Sequence, residues 1–158
     1  MNLGKLGKEQ KLAKGAHNKS NLESENKGLK KLLDEDPQLV IPSLQEKKLL
    51  LSFLNCPTIY TRSFDLVRLK VERLEMVKSR EDFTLIEVKV TSKKLVNFPA
   101  GFFFGLTKNE ETLLKDLSGS FLLCLVSIHP ESEQSIYLDY EGLNSRIRNK
   151  RIQYQINL

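Results

Sequence analysis

An acid and a lysine stand two positions apart inside an apolar run. Residues 83–90 read Phe-Thr-Leu-Ile-Glu-Val-Lys-Val. A strand over this run would carry Glu87 and Lys89 on one face, and Ile86, Val88 and Val90 would point the other way into a core. A carboxylate and an ammonium group held together in this way suit a metal-dependent site that hydrolyses phosphodiester bonds. The run therefore marks a candidate site for that chemistry.

The acid-x-lysine spacing is not specific by itself, because the chain also contains Glu9–Lys11, Glu25–Lys27 and Glu46–Lys48. Those three copies lie in lysine-rich or helical surroundings, where residues two apart do not face each other. Only Glu87 and Lys89 lie among β-branched and aromatic residues that favour a strand. The alternative interpretation is a same-face ion pair on a half-exposed strand, which would contribute little.

A magnesium site needs at least two carboxylates, because Mg²⁺ prefers oxygen ligands and keeps several waters. Asp65 is the candidate for the second one, since its neighbours in sequence are apolar. A simple hairpin turning at residue 80 would leave Asp65 about eight residues of strand away from Glu87, at about 3.3 Å each. The two acids meet only if residues 71–82 form an inserted loop; otherwise Glu72 or Glu75 is the better second acid.

The expected elements place these residues on a mixed α/β fold. Two capping boxes, Ser43–Glu46 and Thr107–Glu110, predict helix starts, and capping explains Thr107 and Glu110 without a catalytic role. A helix between two strands predicts that those strands run parallel. The predicted elements are a helix over 43–54, a hairpin over 64–91, a helix over 107–117, a strand over 121–128, a strand over 135–140, a short helix over 141–148 and a last strand over 151–157.

This order of elements and acids resembles the PD-(D/E)xK nuclease superfamily, over roughly residues 43–128. The resemblance implies the restriction-endonuclease-like fold, a mixed central sheet flanked by helices. It also implies that Asp65 and Glu87 bind Mg²⁺ and that Lys89 lies beside the attacking water. Glu46 matches the place of a further acid on the first helix, and a homodimer follows from the same analogy. The proline that precedes the first acid in many members is missing here.

Positive charge is concentrated at both ends of the chain. Of the net charge of +5, residues 1–20 carry +4 and residues 144–158 carry +4, which leaves 5 − 4 − 4 = −3 for the middle. We expect a basic, helical or partly ordered arm over 1–40 and an α/β domain over 41–158. Basic ends suit contact with a phosphate backbone, although solvated termini would have the same composition. The residues expected to contact nucleic acid are Lys93, Lys94, Arg146, Arg148, Lys150 and Arg151.

Other chemistries find little support in the composition. Cys56 and Cys124 are isolated from each other, and they form no cluster of zinc-ligand spacing with His17 and His129, so neither a disulfide framework nor a zinc site is indicated. The absence of a long apolar run predicts a soluble, cytoplasmic protein.

Together these features predict a Mg²⁺-dependent endodeoxyribonuclease of the restriction, homing or repair type. Two alternatives stay open: a non-catalytic nucleic-acid-binding module with the same fold, and a protein-interaction domain with basic tails.

Overall fold

A computed structural model describes residues 20–158 of the chain, and these residues form a mixed α/β fold around one sheet. The sheet has five strands in the order β1-β2-β3-β4-β5. Only β3 and β4 pair in parallel, and the other three neighbouring pairs are antiparallel. The strands are β1 (Leu39–Val40), β2 (Leu66–Leu69), β3 (Phe83–Thr91), β4 (Phe121–Ser127) and β5 (Gln134–Leu138).

Helices cover both faces of this sheet. They are α1 (described over 20–35), α2 (Leu44–Phe53), α3 (Lys108–Asp116) and α4 (Tyr140–Asn144). Three short 3₁₀ helices lie at Thr58–Arg62, Leu74–Met76 and Arg80–Asp82. The predicted mixed α/β class, with a sheet flanked by helices, is confirmed.

Alternation along the strands divides the buried residues into two cores. The first core joins one sheet face, including Val67, Leu85 and Leu123, to α2, α3 and α4. The second core joins the other face, including Ile86 and Cys124, to leucines of α1. Successive strand residues point to opposite faces, so Glu87 and Lys89 fall on the first-core side, two and four positions after Leu85. Ile86 and Val88 are buried in the second core and Val90 packs against it, as predicted.

The hairpin between β2 and β3 contains the inserted loop that the two-acid site requires. Leu66 pairs with Ile86 and Leu69 pairs with Phe83, so residues 70–82 lie outside the ladder. The chain leaves the sheet after Leu69. Beyond it, Leu74 and Val77 enter the first core from a 3₁₀ turn rather than from a longer strand.

The unit β3-α3-β4 makes the predicted parallel pair, with Glu87 beside Leu123 in the register. Thr107 caps α3, and its side chain accepts a hydrogen bond from the Glu110 N–H. After α3, Gly119 adopts a φ of +82°, which glycine reaches without steric cost, and the chain then enters β4.

The predicted last strand over 151–157 is wrong. These residues form no strand, and Ile152, Tyr154 and Ile156 are 77%, 81% and 80% exposed. Their alternation suits a strand, but a strand also needs a neighbour to satisfy its backbone, and no strand of residues 20–158 pairs with them.

The proposed division at residue 40 stays a prediction. The described part of the arm contains the helix α1, whose Leu32 is buried in the second core, and the strand β1, which pairs with β2; residues 1–19 lie outside the described residues. None of the helices over 20–158 has the length and apolarity needed to cross a membrane.

Candidate active site

Asp65 lies just before β2, next to Glu87. The Asp65 N–H donates to the carbonyl of Ile86, which is already paired with Leu66, so the regular ladder ends here and Asp65 lies outside it. Asp65 Oδ2 accepts a hydrogen bond from the Val88 N–H at 2.9 Å. This bond brings the Asp65 carboxylate close enough to Glu87 to act on its charge.

Glu87 and Lys89 form a buried ion pair. Lys89 Nζ lies 2.8 Å from Glu87 Oε1, and the two side chains are only 18% and 8% exposed. A half-exposed surface pair would be solvated on one side, whereas this pair is enclosed between the sheet and the helices. The surface interpretation is therefore wrong for these two residues.

Glu110 brings a third carboxylate to the same place. Its Oε2 atom lies 3.0 Å from Lys89 Nζ and also accepts a hydrogen bond from the Thr107 N–H at 2.9 Å. The predicted capping role is confirmed, but it does not account for the whole contact. One buried carboxylate both caps α3 and binds the lysine of the candidate site.

Lys47 is a second cation at the site that the sequence reasoning missed. Its Nζ donates to the Phe64 carbonyl at 2.6 Å and to the Thr61 carbonyl at 3.1 Å, and it lies 4.9 Å from the centre of the Phe64 ring. These contacts join α2 to the segment that leads into Asp65. The carboxylates of Asp65 and Glu87 are close enough to act on its charge.

A signal for Lys47 and Glu110 was present in the sequence. Lys47 precedes Leu50, Leu51 and Leu54 by three, four and seven positions, and Glu110 precedes Leu113, Leu114 and Leu117 in the same way. All six leucines are buried in the first core. A charged residue at the start of such a stripe lies on the buried face of its helix.

The acid predicted on the first helix, Glu46, is one position away from that stripe. Its Oε1 accepts a hydrogen bond from the Ser43 N–H in the capping box of α2. Within residues 20–158 no hydrogen bond or ion pair joins Glu46 to Asp65, Glu87 or Lys89. Glu72 and Glu75 are both exposed on the 70–82 connection, whereas Asp65 is hydrogen-bonded to Val88, next to Glu87.

Burial and mutual repulsion dominate the electrostatics of the site. Burial raises the pKa of Glu87 to about 9, and the Asp65 carboxylate adds to the shift while Lys89 opposes it. Burial lowers the pKa of Lys47, although Asp65 and Glu87 favour its charge. Burial also disfavours charge on Lys89, but Glu87 and Glu110 outweigh it and raise the Lys89 pKa. Three carboxyl groups thus face two lysines, and Glu87 keeps its proton to a higher pH than a free glutamate, so a bound cation would have to displace that proton.

This set of donors suits a small, hard cation. Carboxylate oxygens are ligands that Mg²⁺ accepts, and Mg²⁺ commonly takes one or two carboxylates and completes its shell with water. Asp65 and Glu87 would be the two ligands. Among residues 20–158 no group of three or more His, Cys, Asp or Glu residues is arranged to hold a metal ion alone. The fit is therefore that of a two-carboxylate site completed by water or substrate.

The residues expected to contact nucleic acid lie at the surface. Lys93 and Lys94 follow the end of β3, and Lys94 pairs with Glu131 at 2.8 Å. Arg146 donates to the Gly142 carbonyl at the end of α4. Lys150 Nζ lies 2.6 Å from Glu111 Oε1, which ties the basic segment 146–151 to α3, beside Glu110. Arg148 and Arg151 are exposed in the same segment.

Comparison of the chain with protein-family models, with curated proteins and with solved structures found no match.

Proposed function

We propose that the protein is a Mg²⁺-dependent endodeoxyribonuclease of the restriction-endonuclease-like fold, with Asp65, Glu87 and Lys89 as its catalytic residues. The observation that carries the proposal is the hydrogen bond that holds the Asp65 carboxylate on the Val88 N–H, next to Glu87, with Lys89 Nζ 2.8 Å from Glu87 Oε1. Two carboxylates and one lysine on a rigid sheet are the groups that metal-assisted phosphodiester hydrolysis needs.

Each residue of the site has a distinct task in this proposal. Asp65 and Glu87 bind the cation, which when bound supplies Lewis-acid stabilisation of the phosphate charge and makes water easier to deprotonate. Lys89 orients the attacking water and offsets negative charge that develops on the phosphate. The attacking water releases a proton to solvent as its oxygen forms the new bond to phosphorus, the ester P–O bond breaks, and the leaving oxygen takes up a proton from solvent.

The sheet explains how the site would remain ready for reaction. Glu87 and Lys89 belong to a nine-residue strand that pairs on both sides with β2 and β4. The hydrogen bond to the Val88 N–H restrains the Asp65 side chain. Pre-ordered groups lose little conformational freedom when the substrate binds, which lowers the barrier to reaction.

DNA binding is proposed from the basic residues around this site. Lys93 and Lys94 lie past the end of the strand that carries Glu87, and the segment 146–151 is tied to α3. Two antiparallel strands of a duplex need two active sites for double-strand cleavage, so we propose that the protein acts as a homodimer. A restriction, homing or repair role and a cytoplasmic location belong to the same proposal.

One observation favours a different function. Lys89 is bound by both Glu87 and Glu110, and such a closed, buried network also serves as a purely structural element. In that case the protein would be a non-catalytic nucleic-acid-binding module, and the buried charges would fix the packing of α3 on the sheet.

Plasmid nicking separates the two functions. We expect the wild-type protein to nick supercoiled DNA in Mg²⁺, and Glu87→Gln and Lys89→Ala each to abolish nicking while DNA retention in Ca²⁺ is unchanged. Asp34→Asn is the matched control, because Asp34 forms an exposed pair with Lys30. A wild-type protein that binds DNA but never cuts it in Mg²⁺ would refute the enzyme and support the module.

A further inference from the structure

Two carboxylates anchor the side chain of Lys89. A free lysine has about 2 kcal/mol of rotamer entropy, so its ammonium group samples many positions. Here Nζ lies 2.8 Å from Glu87 Oε1 and 3.0 Å from Glu110 Oε2, and the side chain is 18% exposed. Two carboxylates from different elements hold one ammonium group.

The two anchors differ in what else they do. Glu87 is the residue that the proposed function assigns to the cation, and a divalent cation competes with the ammonium of Lys89 for the same carboxylate. The other contact of Glu110 is the Thr107 N–H, and the proposed function assigns no cation to this carboxylate. Only one of the two anchors is therefore independent of the cation.

Glu110 is also held more firmly than an ordinary surface glutamate. It is 5% exposed and lies in the first turn of α3, where the Thr107 capping box fixes its carboxylate. Leu113 and Leu114, one turn further along, are buried in the first core and hold α3 against the sheet. The position of Glu110 Oε2 is thus set by packing and by the helix cap.

We infer that Glu110 is the positioning residue that keeps Lys89 at the active site when Glu87 is engaged elsewhere. This inference rests on the proposed function for the assignment of Lys89 and Glu87. Glu110 itself contacts neither substrate nor cation in this arrangement; it acts through Lys89. Thr107 and Glu110 therefore form both a helix cap and a support for the active-site lysine.

Side-chain mobility tests the inference without catalysis. The ¹³Cε relaxation of Lys89 in the full chain reports its order, and the loss of its signal in Lys89→Arg assigns it. Without metal, we expect Lys89 to stay ordered in Glu87→Gln and in Glu110→Gln and to become mobile only in the double variant. An equally mobile Lys89 in Glu87→Gln alone would overturn the inference, because Glu110 would then not be an anchor.

Mg²⁺ gives the second arm of the same experiment. Saturating Mg²⁺ should leave Lys89 ordered in the wild type and mobilise it in Glu110→Gln. If Mg²⁺ does not perturb the Glu87 side-chain signal, the proposed function fails, while the comparison of variants without metal still decides the role of Glu110. If Lys89 is mobile in wild type with Mg²⁺ bound, the inference fails instead.

Kinetics add a double-variant test. Glu110→Gln keeps an oxygen that accepts from the Thr107 N–H, and we expect kcat to fall by about 10- to 100-fold with little change in KM for DNA. In a Lys89→Ala background the same change should have no further effect. An equal loss in both backgrounds would show that Glu110 does not act through Lys89.

Two variants guard against a trivial loss of folding. Glu111→Gln makes the same chemical change at the next residue of α3, where Glu111 is bound by Lys150 at the surface, and should leave Lys89 ordered and kcat unchanged. Glu110→Asp keeps the charge but withdraws the carboxylate by one methylene, and with saturating Mg²⁺ it should give Lys89 a mobility between those of the wild type and Glu110→Gln. If Glu110→Gln does not fold, wild-type mobility of Lys89 in Mg²⁺ together with wild-type kcat in Glu110→Asp would overturn the inference.

Discussion

Asp65 Oδ2 accepts a hydrogen bond from the Val88 N–H at 2.9 Å. The residue after Glu87 in the strand thus holds the Asp65 carboxylate beside Glu87. This contact makes the position of the Asp65 carboxylate a property of the sheet rather than of a free side chain.

The identity of the second acid can be tested by substitution. Asp65→Asn keeps an oxygen that accepts from Val88 but removes the charge, so we expect normal folding and a loss of at least about 100-fold in Mg²⁺-dependent nicking. Glu72→Gln and Glu75→Gln change exposed acids of the 70–82 connection and serve as controls. Loss of activity in a control, with retention in Asp65→Asn, would move the site to the connection.

Stability should fall as the pH rises, because of Glu87. Its pKa is raised from 4.5 to about 9 in the folded protein, so the folded state holds a proton that the unfolded state releases. This contribution to the free energy of unfolding is complete below the pKa of Glu87 in the unfolded chain. It is lost as the pH rises through the pKa of Glu87 in the folded protein. The neighbours that set this balance are Asp65, Glu110, Lys47 and Lys89.

Glu87→Gln should remove this dependence on pH. In EDTA, we expect the free energy of unfolding of the variant to rise relative to that of wild type by roughly 1–3 kcal/mol from pH 5 to pH 8, since each unit of pKa shift corresponds to about 1.4 kcal/mol. Denaturant unfolding at the two pH values measures the gain, and Glu111→Gln is the control. Mg²⁺ should stabilise the wild type at pH 8 and not the variant; parallel pH profiles for both proteins would contradict the prediction.

Lys47 should matter for the position of Asp65. Lys47→Met keeps the apolar stem over the Phe64 ring but leaves the Phe64 and Thr61 carbonyls without their donor. We expect a loss of about 1–3 kcal/mol in the free energy of unfolding, measured by denaturation. Lys48→Met changes the exposed neighbour and should leave the free energy of unfolding unchanged. Equal effects at both positions would remove Lys47 from the site.

The basic C-terminal segment should determine the salt dependence of DNA binding. If Arg148, Lys150 and Arg151 each contact a phosphate, replacing all three by alanine should reduce the slope of log K against log salt by about 2–3. A matched triple variant at Lys70, Arg73 and Lys78, exposed residues of the 70–82 connection, should leave the slope unchanged. Equal slopes for the two triple variants would show that positive charge anywhere on the surface has the same effect.

Much of the local structure follows from the sequence. The capping boxes at Ser43 and Thr107 placed the starts of α2 and α3, because these signals involve only residues a few positions apart. The alternation around Glu87 and Lys89 placed both charges on one face of β3, since a strand repeats every two residues. The alternation over 151–157 was misleading, because a two-residue period does not reveal whether a partner strand exists.

The composition of the site could be read only in part. Asp65, Glu87 and Lys89 could be chosen from their apolar surroundings. Whether Asp65 comes next to Glu87 depends on how residues 70–82 fold, because that connection sets the pairing of β2 with β3. Lys47 and Glu110 could have been noticed as charged residues that begin buried leucine stripes. Their contacts with the segment before Asp65 and with Lys89 depend on how α2 and α3 pack on the sheet.

The chain by itself thus determined where helices begin, which strand residues share a face and which acids lie in apolar surroundings, since these are properties of neighbours in sequence. Only the tertiary structure decided that three carboxylates and two lysines meet at one place. Their meeting depends on strand register and helix packing, which are set by the burial of the whole core rather than by any short segment.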